Sequence, residues 1–141
     1  MKILTFDIEE WFHLLDHPDT RSAHQWEKFE SRFERNLERV LSLVKASDCS
    51  ATFFCLGWIA EKYPDLIKEI VYSGYEIACH SHRHQLAYQQ APEDFRRDFC
   101  EAREAIFKAC GIIVDTYRLP GFSLTADSIW ALDILGEEGV E

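Results

Sequence analysis

The chain has 141 residues, is 47% hydrophobic and 28% charged, and carries 15 Lys and Arg against 25 Asp and Glu, a net charge of −10. That length fits one domain with its own core, and the composition excludes a disordered, collagen-like or low-complexity polymer. The acidic balance repels phosphate backbones and anionic lipid, and no apolar run approaches the roughly 18 residues of a membrane span, so neither nucleic-acid binding nor membrane insertion is expected.

The opening segment, MKILTFDIEEWF, meets acids almost at once and lacks a secretory signal's apolar stretch and cleavage site, so a soluble, cytoplasmic protein is expected. The elements then alternate. Residues 3–6 are a short apolar run ending at Asp7, readable as a buried strand. Residues 9–25 form one long irregular stretch, acidic, aromatic and rich in histidine. Phe33, Leu37, Val40, Leu41 and Val44 recur at helical spacing. Residues 51–56 are β-branched and aromatic and stop at Gly57, a second strand. Residues 58–72 read as helical, with Pro64 opening a new helix and Gly74 as the stop. Residues 76–79 are a third strand. Residues 92–110 are a long helix with Phe95, Phe99, Ala102, Ile106 and Ala109 on one stripe, closed by Gly111. Residues 114–118 read as a fourth strand. Thr125 can cap a last helix running to Leu135, with Gly136 ending it.

Such alternation implies an α/β fold with parallel strands, either an open doubly wound sheet or part of a barrel. In both, function sits at the C-terminal strand ends. Four strands close no barrel, so the choice is a small open sheet or the front part of a longer protein. The five cysteines are odd in number and none are spaced C-x-x-C; Cys55 and Cys79, in strand-like runs, read as small reduced core residues.

Three strand ends carry chemistry: Asp7 and Glu9, then Cys79-His80-Ser81-His82-Arg83-His84, then Tyr117-Arg118-Leu119-Pro120-Gly121. On a helical turn His80 and His84 share a face, and two imidazoles with a carboxylate from Asp7 or Glu9 would make a His₂-carboxylate metal site with open positions for water. Asp7, ending an apolar strand, needs a partner; Arg118 can pair with it bidentately. Pro120-Gly121 forces a turn that frees a backbone N–H for an oxyanion. The plainer alternatives stay open: a polar loop that happens to hold three histidines, an Asp capping a turn, a solvated Arg. His13, His17 and His24 read as surface residues. Trp11, Phe12 and Trp26 are either a wall of a sugar cleft or a cover over the open end of the sheet.

Thr5-Phe6-Asp7, Ala51-Thr52-Phe53-Phe54, His80-Ser81-His82-Arg83-His84 and Arg118-Leu119-Pro120 together resemble the NodB-type polysaccharide deacetylases, carbohydrate esterase family four, in order and spacing over nearly the whole chain. The opening F-D-I-E-E-W-F-H and the R-L-P-G-F-S-L-T segment resemble the branch tied to bacterial exopolysaccharide biosynthesis. The resemblance implies the N-terminal part of a distorted (β/α)7 barrel, a divalent metal, usually Zn2+, and hydrolysis of N-acetyl groups on the amino sugars of a polysaccharide or oligosaccharide. It makes Asp7 the general base and Arg118 its orienting partner. It makes His80 and His84 metal ligands and Ser81 a loop-stabilising hydrogen-bonder. Pro120 belongs to the third motif, and Gly121 stands where the family often has Tyr, keeping the oxyanion N–H. Ile8 takes the place of the usual second Asp, so Glu9 becomes the carboxylate ligand, with Asp7 as substitute. The family's proton donor, a His in a late L-x-H motif, is absent, so residues 1–141 are expected to be a partial domain lacking the C-terminal strands, which folds poorly or self-associates alone. Competing expectations are an amidase of the same fold acting on small cyclic amides, a non-catalytic carbohydrate- or metal-binding module, and an open α/β regulatory domain. The last would place an acidic cluster and a Lys at the strand ends, where this chain places histidines.

Overall fold

The computed structural model describes residues 4–14 and 17–141. Its centre is a three-stranded parallel sheet in the order β1 (Thr5–Ile8), β2 (Thr52–Cys55), β3 (Glu76–Cys79). The first strand lies further along than the apolar pattern suggests: it includes Asp7 and ends at Ile8, and residue 3 falls outside the described residues. Register is strict. Phe6, Phe53 and Ile77 share one row, Asp7, Phe54 and Ala78 the next, and Ile8, Cys55 and Cys79 the last.

Alternation sends these rows to opposite faces. Ile8, Phe53, Cys55, Ile77 and Cys79 belong to the buried core, and the rings of Phe6 and Phe53 stack at 5.1 Å. Thr5, Asp7, Thr52 and Glu76 alternate onto the other face, where Thr52 hydrogen-bonds Glu76.

Helices cover the apolar face. After the short α1 (Ala23–Trp26), α2 (Phe33–Ala46) buries Phe33, Leu37, Leu41 and Val44 along one stripe. Between β2 and β3 the chain forms α3 (Gly57–Lys62) and α4 (Pro64–Tyr72), broken at Tyr63, where Pro64 opens the second helix. α5 (Pro92–Cys110) matches its expected limits and ends at Gly111 with φ 77°, the left-handed stop that glycine supplies without strain. Thr125 caps only a single 3₁₀ turn, Ala126–Ser128, through a capping box. The last helix, α6 (Trp130–Glu137), passes through Gly136 instead of ending there. Arg96 and Arg103 of α5 hold Glu138 just beyond it, with Arg103 donating to the Glu138 carbonyl at 2.7 Å.

The expected fourth strand forms one bridge only, Tyr117 against Cys79, held by Cys79 N–H to the Thr116 carbonyl and Arg118 N–H to the Cys79 carbonyl, both 2.9 Å. Val114, the first residue of the expected strand, is buried without extending the pairing, and the exposed Ile112 and Ile113 lie before it. That single bridge still delivers Arg118 to the C-terminal edge of the sheet.

Gly57 opens α3 where backbones touch. A Cβ there would lie 2.3 Å from His82 Nδ1 and 2.6 Å from the Ala102 Cα. Gly57→Ala is therefore expected to cost about 1–3 kcal/mol by overpacking, read as a lower urea midpoint with an unchanged slope.

Candidate metal centre

Strand register builds the site. Glu9 follows the last residue of β1 and His80 the last residue of β3, and the ladder runs on beneath them: Leu56 N–H reaches the Ile8 carbonyl at 3.4 Å and His80 N–H the Cys55 carbonyl at 2.8 Å. Glu9 and His80 thus stand in one row, two strands apart. His84 joins them through a loop. The expected helical turn does not form; residues 80–84 are irregular, with Ser81 at φ 71° and His84 at φ 56°. Those two left-handed residues fold the chain back so that both imidazoles meet, their centroids 5.2 Å apart. Ser81 Oγ accepts the His84 N–H at 2.9 Å, the loop-holding part expected of it.

Glu9, His80 and His84 each offer a donor atom within 4.8 Å of the others. His80 Nδ1 lies 2.8 Å from the Arg118 carbonyl, so this nitrogen carries the proton and Nε2 holds a free lone pair. His84 Nε2 and Glu9 Oε2 approach to 2.9 Å, yet that buried carboxylate oxygen has no hydrogen-bond partner. Two donor atoms in contact but unaligned for hydrogen bonding fit a shared cation, and a His₂-carboxylate set suits a divalent ion such as zinc. Glu9 is thus the carboxylate of the cluster. Asp7 stands beside it, with Oδ2 3.8 Å from His80 Nε2.

Asp7 is partly desolvated, its side chain 35% exposed. Arg118 supplies the partner. Its Nη1 donates to Asp7 Oδ1 at 2.5 Å and its Nη2 to Thr5 Oγ1 at 2.9 Å, while its guanidinium lies 3.8 Å over the Phe54 ring. Arg118 is therefore neither a solvated charge nor bidentate on Asp7: it spans two residues of β1 and leaves Oδ2 unclaimed. Pro120 is buried and Gly121 turns left-handed at φ 58° directly after it.

One reading of the segment from Glu9 to Trp26 changes, and an alternative left open there narrows. His13 is buried, 4% exposed, whereas His17 and His24 are exposed as expected. Phe12 and Trp26 are buried too and pack with His13 and Trp58, which fits a cover more than an open aromatic wall; of the three aromatic residues Trp11 alone is exposed. His13 Nδ1 accepts the Glu10 N–H, and burial, reinforced by His84, Lys62 and His80, lowers its pKa from 6.5 to about 3. Burial likewise lowers His80, against the pull of Asp7. The thiols of Cys55 and Cys79 are buried and free, and burial raises their pKa, leaving them inert. A cavity of about 310 Å³ adjoins His84, lined also by His13, Trp26, Arg83, Gln85 and Gln89.

Two residues escaped the sequence reading. Glu10, 4% exposed, accepts the Arg32 N–H at 3.1 Å and bonds Ser31, fixing the start of α2. Asp98, also 4% exposed, accepts the N–H groups of His82 and Arg83. The signal for Asp98 was available: a carboxylate at the 95, 98, 99, 102 spacing of an otherwise apolar stripe.

Because the folded pKa of His13 lies below its unfolded value, its stability contribution is complete above pH 6.5 and is lost as pH falls toward 3. In metal-free protein, His13 alone removes about 2 kcal/mol between pH 7 and pH 5. Urea melts should show His13→Phe losing less stability over that interval by about this amount.

Residues 3–140 match the polysaccharide deacetylase family. The chain is 26% identical over 96 residues to a peptidoglycan-N-acetylglucosamine deacetylase of Bacillus cereus, an alignment covering 67% of this chain and 35% of the relative. The chain therefore spans about a third of the length of that curated relative. Among solved structures, a Mycobacterium smegmatis protein named as a candidate polysaccharide deacetylase superposes with a TM-score of 0.81 at 22% identity, covering 98% of this chain and 48% of that one. A carbohydrate esterase family four pseudoenzyme from Bacillus anthracis gives 0.74 at 20% identity, covering 98% and 40%. Fold similarity thus reaches a pseudoenzyme as well, and the family match over nearly all of the sequence shows that this chain belongs to the polysaccharide deacetylases.

Proposed function

We propose that the chain carries the metal centre and catalytic base of a hydrolase that removes N-acetyl groups from the amino sugars of a polysaccharide, in the exopolysaccharide-associated branch that its opening and Arg118–Thr125 segments resemble. The carrying observation is one edge of one sheet: Asp7, oriented by Arg118, beside the Glu9, His80 and His84 donor cluster. The name of the Bacillus cereus relative supports N-acetylglucosamine as the sugar. The parallel sheet with helices on its apolar face supports a barrel-type fold of which these residues form part.

Glu9, His80 and His84 would hold the divalent ion, zinc by resemblance, and the ion supplies Lewis acidity toward the amide carbonyl and toward water. The remaining chemistry belongs to the chain. Asp7 accepts the proton of the attacking water through Oδ2, the oxygen that Arg118 leaves unclaimed. Arg118 fixes the carboxylate, and its own plane is fixed by Thr5 and Phe54. The N–H of Gly121 is the oxyanion donor in this reading. Water oxygen bonds to the acyl carbon, the carbon–nitrogen bond breaks, and the leaving amine takes up the proton that Asp7 accepted from the water. His13 is unsuited to give that proton at neutral pH, because it is buried and uncharged. His82 is unsuited by its placement: its Nε2 faces Glu61 of α3 at 3.8 Å, and it lines a pocket with Glu101, Glu104 and Lys108 that none of Asp7, Glu9, His80 and His84 enters.

Elemental analysis of the purified chain is expected to find about one divalent ion per molecule, and His80→Ala/His84→Ala to find none. Asp7→Asn should keep the ion and lower acetate release from N-acetylglucosamine oligomers about 10²–10⁴-fold. Folded wild-type protein that takes up no metal, or Asp7→Asn releasing acetate at the wild-type rate, would refute the proposal.

A further inference from the structure

The loop that carries His80 and His84 has no secondary structure of its own, so its path must be set by what its backbone groups bond to. Its carbonyls go to α3: Gly57 N–H donates to the Ser81 carbonyl at 2.9 Å and Trp58 N–H to the His82 carbonyl at 3.2 Å. These are first-turn N–H groups with no partner inside their own helix. Of the loop's own donors, His80 N–H extends the sheet and His84 N–H reaches Ser81 Oγ. The N–H groups of the two middle residues, His82 and Arg83, both point at one carboxylate. Asp98 Oδ2 accepts from His82 at 2.7 Å and Asp98 Oδ1 from Arg83 at 3.1 Å.

Asp98 is 4% exposed and shares its helix face with Phe95, Phe99 and Ala102. A carboxylate buried in such a stripe is unfavourable without partners. The nearest cation, Arg83 Nη1, is 3.9 Å away and sits closer to Glu101, at 2.6 Å. The two backbone N–H groups are therefore its principal partners. They belong to successive residues between two left-handed ones, Ser81 and His84. Gripping both orients the 81–82 and 82–83 peptides, which lie between the two imidazoles in the chain.

We propose that Asp98 is a positioning residue of the metal centre, acting through the His82 and Arg83 backbone to hold His80 and His84 at ligand spacing. It touches neither metal nor substrate. The inference rests on the metal-centre reading above, and concerns how that centre is held.

The test uses the full chain with Co2+ as probe, reading affinity by chelator competition and ligand geometry by the visible d–d bands, with urea midpoints measured alongside. Asp98→Ala removes both acceptors, and Asp98→Asn keeps the shape and one of them. Ile106→Ala, on the same helix away from the loop, supplies a destabilised control. Asp98→Ala is expected to weaken Co2+ binding about 10–100-fold and to alter the d–d bands, Asp98→Asn by less, and Ile106→Ala to leave both unchanged despite a lower midpoint. Unchanged affinity and bands in folded Asp98→Asn and Asp98→Ala would overturn the assignment while leaving the metal centre standing. An equal loss in Ile106→Ala would overturn it too, by showing general loosening. Wild-type protein that binds no Co2+ would remove the metal-centre reading, and Asp98's role with it.

Discussion

Parallel strands in strict register leave one row of residues just past their ladder, and in this chain that row is where the sheet stops being apolar. Ile8, Cys55 and Cys79 close the ladder in the core; Glu9 and His80 come next. The hydrophobic contacts that fix strand pairing thereby fix the distance between a carboxylate and an imidazole far apart in sequence. A one-residue slip would send each to the opposite face. β2 supplies none of the clustered donors, yet it sets their separation and, through Phe54, the bed on which Arg118 lies.

The remaining donor depends on a loop, and the loop depends on groups outside itself. The start of α3 takes its carbonyls, Asp98 takes two of its N–H groups, and Ser81 takes a third. These bonds matter because His80, Ser81, His82 and His84 are buried, where an unpaired backbone group costs about as much as a lost hydrogen bond. Gly57 permits the close approach that makes the first of these contacts.

Much of this was legible in the sequence, and the parts that were not share a cause. Helices α2 and α5 announce themselves by periodicity, with Pro92 and Gly111 marking the limits of α5. The strand-end residues Asp7, Glu9, His80, His84 and Arg118 follow from reading where apolar runs stop. The fourth strand reduces to one bridge although Val114 is buried, because apolar composition does not reveal which backbone groups find a ladder partner. His13 was misread for a related reason. Its segment has no periodicity, and its burial is decided by Trp26 and Trp58, the latter distant in sequence. The bend at 80–84 was taken for a helical turn because the spacing of four is the same; only the left-handed Ser81 and His84 distinguish them.

Two donors of the cluster, His80 and His84, lie four residues apart, but the third, Glu9, is more than 70 residues away and meets them only where β1 and β3 end in the finished sheet. The unfolded chain can present the histidine pair but not the full set. On the metal-centre reading, an ion would bind the complete set only in a protein already built. It would favour the folded population by mass action, by an amount that grows with the logarithm of its concentration over the dissociation constant. Assembly of the core and loading of the centre would then be separate events.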